Sequence, residues 1–286
     1  MDLNFWVIQT FNGVSYGALL FLLASGLSLI FGVMRIVNLA HGSFFLLGGY
    51  VALTVIWTTG SWFLALPAAA LAIAVVGMLM ERVFLRPLGF DPLRQVLLTV
   101  GFAYLFQQAA LDIWGGDNLD IVPPAVLKQS AVIGGFYFPI YRMFMIGMAL
   151  FVGLILWLAM EKTRMGAMVR ATVDDSEMAR GVGIDTSLVS MFIFALGAFL
   201  AGLGGVIGGA FLGVYPGLDF AILPIAFAVV IIGGMGSLGG AAVGSLLVGL
   251  ADNFGKALFP EISYFTLYAP MVLILALKPT GLFGRE

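Results

Sequence analysis

Residues 5–31 read FWVIQTFNGVSYGALLFLLASGLSLIF, a run that contains no charged side chain. A helix needs about 20 predominantly apolar residues to cross a bilayer, and this stretch exceeds that length. No basic n-region precedes it and no small-residue cleavage site follows, so it reads as a retained span and not as a signal peptide. Apolar runs of the same kind recur near 42–58, 62–84, 96–114, 142–160, 188–213, 221–233, 240–255 and 264–277. The chain of 286 residues is 62% hydrophobic and 10% charged, against about 25% charged in soluble domains. Its mean hydropathy is +1.10. A soluble fold of this length cannot cover so much apolar surface with polar groups. The expected fold is an all-α polytopic membrane protein, a single transmembrane domain over 1–286 with eight or nine helices. The count is open because spans seven and eight are short and are split by the glycine-rich stretch Gly233–Gly240. They read equally as one broken helix or as a re-entrant pair.

Lysine and arginine concentrate on the cytoplasmic side of membrane proteins. With the N-terminus outside, the inner segments hold Arg35, Arg82, Arg86, Arg94, Lys162, Arg164, Arg170, Arg180, Lys278 and Arg285, and the outer ones only Lys128, Arg142 and Lys256. That is 10 of the 13 basic residues inside, which predicts N-out and C-in. Trp62, Trp114, Tyr137, Tyr141, Tyr264 and Tyr268 fall near span ends, where an aromatic belt or ordinary packing would place them. The net charge of −2 and the absence of cysteine argue against a nucleic-acid partner, disulfides and thiolate metal sites.

Two connections are long enough to carry structure of their own, an outer one at about 115–141 and an inner one at about 161–187. The inner loop is the most polar part of the chain. Met165, Met168 and Val169 recur at helical spacing beside Arg170, and a second short helix starts among Asp174, Asp175 and Glu177, where the helix dipole favours carboxylates. Met178 and Val182 share a face of it, Arg180 lies between them, and Gly181 and Gly183 end it. A short amphipathic pair of this kind suits docking into a partner's groove; a solvated connector is the plainer reading.

Within the membrane, Asn38, His41, Gly42 and Ser43 interrupt an apolar run. Polar groups at this depth face a bundle interior or a watery cavity. They read either as a break lining a translocation path, with Gly42 freeing a helix N-terminus for a carboxylate, or as a structural network in which Asn38 or His41 bonds free backbone at a kink. The latter is favoured for His41. Gly234, Gly236 and Ser237 form the second interruption, read first as close helix packing and second as a path-lining element. It lacks the Lys-Ser/Thr ending of a phosphate-binding loop, so no ATP hydrolysis is expected of this chain. Segments 26–53 and 225–250 faintly echo one another. Asp252 lies in a span and pairs most simply with Lys256, four residues on.

Four stretches together carry a family resemblance: Asn38-Leu39-Ala40-His41-Gly42 with Leu47-Gly48-Gly49-Tyr50; Arg170-Ala171 through Asp175, Met178-Ala179 and Gly183-Ile184-Asp185-Thr186; Gly233 through Ala241 with Gly244; and Lys278-Pro279-Thr280-Gly281-Leu282-Phe283-Gly284. The chain resembles, over essentially its whole length, the permeases of ABC importers for branched-chain amino acids, the LivH type. Permeases for urea, short amides and small carboxylates look similar. The resemblance implies a multi-pass protein of the bacterial cytoplasmic membrane, half of a translocation path, working by alternating access and binding no cofactor itself. ATP and Mg are expected on separate ATP-binding subunits. A second, distinct permease and an extracytoplasmic substrate-binding protein are the other implied partners. The 165–183 segment would be the coupling helix, with Asp174, Glu177 and Arg180 meeting polar groups of the ATPase and Met178 and Val182 filling an apolar pocket.

A stand-alone secondary transporter should show ionisable residues at depth, for which only Asp252 and His41 offer themselves. An intramembrane enzyme should show a zinc-ligand pair, a nucleophile elbow or paired carboxylates, and the sequence contains none of these.

Overall fold

The computed structural model describes residues 2–89 and 91–284, and Tyr264 by its backbone alone. Arg285 of the inner charges and the Tyr264 side chain therefore lie outside the described residues. Eleven α-helices follow one another: α1 (Leu3–Met34), α2 (His41–Thr59), α3 (Trp62–Met80), α4 (Pro92–Trp114), α5 (Ile140–Lys162), α6 (Arg164–Asp174), α7 (Ser176–Gly181), α8 (Thr186–Leu212), α9 (Leu218–Gly233), α10 (Leu238–Leu258) and α11 (Ser263–Leu277). Seven of them, α1 to α5, α8 and α10, are long and apolar enough to cross a membrane, α3 by running on through a π turn at Glu81–Leu85. Helices α9 and α11 are apolar but shorter.

Local chemistry sets several of the starts. Ser61 accepts a hydrogen bond from the Leu64 amide, Asp91 from Arg94, Asp185 from Ser187 and Leu188, and Ser237 from Gly240. Each side chain satisfies an amide that the first helical turn leaves without a partner.

The bundle is built on glycine. Helix α8 is the most buried span and packs between α1 and α3. A methyl group on Gly26 would sit 2.6 Å from the carbonyl oxygen of Gly197, and Gly202 lies against Ile73 of α3. Gly13 and Gly17 of α1 lie against Gly249 and Ser245 of α10. Without a hydrophobic driving force between helices in lipid, such backbone approach supplies the attraction. On α3, α4 and α5 many large apolar side chains point outward: Leu71, Val75 and Leu79 on α3, Leu97 and Leu105 on α4, and Leu150, Phe151 and Leu154 on α5 are exposed.

Contact order gives the directions. Asn12 bonds Arg142 and Phe21 meets Gly153, so α5 runs parallel to α1. Leu39 bonds Thr99 and Tyr50 stacks on Trp114 at 4.9 Å, so α4 runs parallel to α2. Helices α8 and α10 are antiparallel to α1.

Spans seven and eight are not one broken helix. Gly240 meets Gly233 and Gly244 meets Val229, so α9 and α10 fold back on one another about a tight turn. Gly234 in that turn has φ 100, a backbone that side chains with a Cβ rarely adopt. The motif at the C-terminal end closes over the turn: the amides of Leu282 and Phe283 donate to the carbonyls of Ile232 and Gly233 at the end of α9.

Both long connections are structured. The one at 115–141 contains an antiparallel hairpin, β1 (Ser130–Ile133) with β2 (Phe136–Pro139). Its Leu119 makes two backbone hydrogen bonds with Val214, of 2.9 and 2.8 Å. The one at 161–187 forms the two short helices α6 and α7. Of the aromatic residues near span ends, Trp62 and Tyr141 are buried and Tyr137 is well exposed.

Candidate functional site

The interruption at 35–40 is a return into the membrane. Arg35 takes the left-handed conformation that ends α1, with φ 55. The chain then climbs back alongside α1 before α2 begins. Its depth is fixed by one bond: a ring nitrogen of His41, Nε2, lies 3.0 Å from the carbonyl oxygen of Leu23. Gln9 and Asn12 of α1 bond Asn253 and Arg142 at the other, polar end of the helix. Between that end and Met34, the apolar part of α1 is residues 13–34, and Leu23 is at its middle. At ~1.5 Å per residue, His41 is buried ~16 Å from the end of α1.

A second helix begins at the same place. Residues 213–217 lead from the end of α8 to Gly217, whose φ of 100 lets the chain turn into α9. A methyl group on Gly42 would lie 2.5 Å from the carbonyl oxygen of Asp219 in the first turn of α9. Helix α9 runs from there toward the end of α1 that carries Met34, since its far turn places Gly236 against Gly32. Helix α2 runs the other way. Two helix N-termini, each carrying partial positive charge, thus meet in mid-bundle. The interruption that answers 35–40 is 213–217, and not the glycine-rich turn that the faint sequence echo would pair with it.

The side chains at this meeting point are Asn38, His41, Ser43 and Asp219, all at most 2% exposed. Ser43 Oγ donates to Asp219 Oδ2 at 2.8 Å. Asn38 Oδ1 accepts from the Ala40 amide at 3.1 Å. A carbonyl only accepts, so the His41–Leu23 bond puts the proton on Nε2 and leaves Nδ1 an acceptor. Asn38 Nδ2 and His41 Nδ1 have no hydrogen-bond partner; the Asp219 carboxylate faces the amides of Gly217, Asp219 and Phe220 at the start of its own helix, though none of them reaches Oδ1 at full hydrogen-bond geometry. Asp219 joins none of the ion pairs among the described residues. Helix α2 leaves the amides of Gly42 and Ser43 outside its own ladder, while those of His41 and Phe44 bond Asn38 and Ala40. Among the described residues no group of three or more acidic or histidine side chains is placed to hold a metal.

Sequence reasoning missed Asp219, because it assigns the span to 221–233 and leaves Asp219 in a connector. The signal was present: Pro216-Gly217 followed by an apolar run with an acidic residue at its head is a helix start. Gly234, Gly236 and Ser237 do not join this cluster. They sit at the opposite end of α9, against Gly32 of α1 and the Phe283–Gly284 segment, and Ser237 accepts a bond from Ser28 through its carbonyl.

On the inner loop, Asp175 links α6 to α7, its Oδ1 accepting from the amides of Glu177 and Met178. Met178 and Val182 are 66% and 71% exposed, with Glu177 and Arg180 beside them. Arg180 Nε bonds Thr186 Oγ1 at the head of α8 at 2.7 Å. Arg170 bonds the Met160 carbonyl of α5 and lies 3.9 Å from Glu161. Asp174 ends α6.

Comparison with known proteins places this architecture. Residues 9–275 match the family described as branched-chain amino acid transport system / permease component. The chain is 30% identical to the high-affinity branched-chain amino acid transport system permease protein LivH of Salmonella typhimurium, covering 98% of this chain and 96% of the relative. It is 28% identical to BraD of Pseudomonas aeruginosa, over 99% and 97%. The high-affinity branched-chain amino acid transport system permease protein LivM of Escherichia coli is 27% identical over 91% of this chain and 67% of the relative. A buried meeting of two helix starts, an exposed pair of short helices and an outward apolar surface suit a multi-pass transport protein, and the chain is a member of the branched-chain amino acid transport permease family.

Proposed function

We propose that the chain is the transmembrane permease subunit of an ABC importer for branched-chain or similar hydrophobic amino acids, and that it forms half of the translocation path. The observation that carries this is the meeting of α2 and α9 at mid-depth beside unpartnered polar atoms. Irregular backbone inside a membrane is tolerated where it is enclosed by protein or lines a path. Asn38, His41, Gly42, Ser43 and Asp219 form the centre of that path. Gly234, Gly236 and Ser237 act at its inner end, as a compact turn that moves with α9.

The N-terminus lies outside and the C-terminal segment inside, with α9 and α11 completing nine membrane helices. The charge distribution supports this, and the helix directions agree with it: α1, α3 and α5 run inward, and α2, α4, α8 and α10 outward. ATP and Mg then belong to separate ATP-binding subunits on the inner face. Helices α6 and α7 are the coupling element, with Met178 and Val182 entering an apolar cleft of the ATPase and Asp174, Asp175, Glu177, Arg170 and Arg180 framing them. The second permease half is a distinct, LivM-like chain, and a binding protein delivers substrate to the 115–141 loop. The complex sits in the bacterial cytoplasmic membrane.

The test is the assembled importer in proteoliposomes. Replacing Met178 and Val182 together by Asp places charge on a surface built to be desolvated. The expected result is loss of binding-protein-stimulated ATP hydrolysis by tenfold or more, with unchanged amounts of the permease in the membrane. Stimulation at the wild-type level removes the coupling assignment.

A further inference from the structure

Helix α4 is the least buried of the seven helices long enough to span, and its outward face differs in kind from those of its neighbours. The residues exposed on α3 between Phe63 and Leu79, and on α5 between Gly147 and Leu158, carry no charged, amide or hydroxyl group. On α4 the exposed stripe runs through Leu97, Gly101, Tyr104, Leu105, Gln108 and Asp112, spaced as one helix face. Two contacts fix its depth. The Thr99 hydroxyl accepts from the amide of Leu39, two residues before His41, at 3.2 Å. The Tyr104 ring lies 5.2 Å from that of Phe220 in the first turn of α9. Both mark the level at which α2 and α9 begin, in the middle of the bundle. Tyr104 is 60% exposed there, and Gln108 lies one turn, ~6 Å, farther toward Trp114.

Hydrocarbon offers these groups no hydrogen bond, so at this depth they face protein or water. Gln108 Nε2 donates to Asp112 Oδ1 at 2.9 Å, and Asp112 joins none of the ion pairs among the described residues. The carboxylate is therefore open to a donor from outside the chain. Gly101 has nothing within 4 Å of the place where a Cβ would stand. In the seams of α8 with α1 and α2, glycine marks where backbones touch; on α4 it stands in the same role with no backbone opposite. We propose, building on the importer reading, that this stripe is the seam with the second permease half. A membrane helix of that chain lies along α4 with its backbone closest at Gly101, and it brings donor side chains to Asp112 and polar partners to Tyr104 and Gln108. A helix suits the stripe better than water does, because Leu97 and Leu105, both well exposed, interleave with the polar groups. The surface continues onto Ala221 and Pro224, also exposed, beside Phe220, so the partner covers the start of α9 as well.

The experiment uses the complete importer in its membrane. Leu105→p-benzoylphenylalanine on α4 and Leu154→p-benzoylphenylalanine on α5 place a photoreactive group at two leucines of similar exposure. On irradiation the first is expected to form a covalent adduct with the second permease chain, at least tenfold more abundant than any from the second. No such adduct from position 105 overturns the proposal, and so does an adduct of equal abundance from position 154. Gly101→Leu and Gly147→Leu test the same seam without disturbing the fold, since open space surrounds both positions within this chain. Gly101→Leu is expected to lower co-purification of the second permease at least fivefold, with the amount of this chain in the membrane unchanged, and Gly147→Leu by less than twofold. Equal yields for the two variants overturn the proposal. A wild-type preparation from which no second permease co-purifies faults the importer reading instead.

Discussion

Asp252 and Lys256 show what a charge inside this bundle requires. Asp252 is 4% exposed, and its Oδ2 lies 2.7 Å from Lys256 Nζ one helical turn on. The lysine reaches outward past the Tyr16 ring, 5.7 Å from its centre, so its stem is packed and its head partly wet. Removing one member of such a pair costs more than removing both, because the survivor is stranded. Lys256→Met is expected to destabilise the detergent-solubilised protein by ~1–2 kcal/mol, and Lys256→Met with Asp252→Asn by less. A thermal-unfolding double-mutant cycle measures both. This pair was legible from the sequence, because it is local: four residues within one helix. Asp219 was not, because its partner Ser43 is 176 residues away. Nothing local to 213–220 says that a second helix will begin opposite it. His41 is intermediate. Its polarity at depth was visible in the sequence, while its acceptor, Leu23 of another helix, was not.

At the scale of elements, every span read from hydropathy is a helix within a few residues, since length and apolar content are properties of a continuous stretch. What hydropathy does not carry is depth. Helix α2 and the apolar run at 42–58 nearly coincide, yet the sequence alone does not say that His41 starts the helix beside the middle of α1. The outer hairpin is a similar case. Its strands are short, and the link that gives it a role, Leu119 to Val214, joins residues far apart in the chain. That link ties the outer loop by two backbone bonds to the segment that leads directly into Asp219. Leu119→Pro deletes the donor to Val214, whereas Leu119→Ala keeps it. Uptake driven by the binding protein is expected to drop severalfold in the proline variant and to stay near wild type in the alanine variant. Equal behaviour of the two would show that the backbone link transmits nothing.

For the whole molecule, orientation is the property most directly open to test. With no native cysteine, Tyr137→Cys and Met178→Cys report opposite faces, and both side chains are well exposed. In right-side-out cells a membrane-impermeant maleimide is expected to label the first and spare the second until the membrane is opened. The reverse pattern would invert the topology along with the placement of the ATPase.

The glycine seams of α8 set how such a molecule can move. Where helices meet through side chains, rotamers can change and the surfaces can slide. Where Gly26 faces Gly197 and Gly202 faces Gly48, bare backbones are in contact and a slide of even one residue drives a Cβ into a carbonyl. Helices α1, α2, α3 and α8 thus form a keel joined through backbone, and α4 and α5 sit on its rim, held through side chains. The two short inner helices straddle that division. Arg170 ties α6 to α5 on the rim, and Arg180 ties α7 to α8 in the keel. In the importer proposed above, a push on this pair would reach α5 through Arg170 and α8 through Arg180.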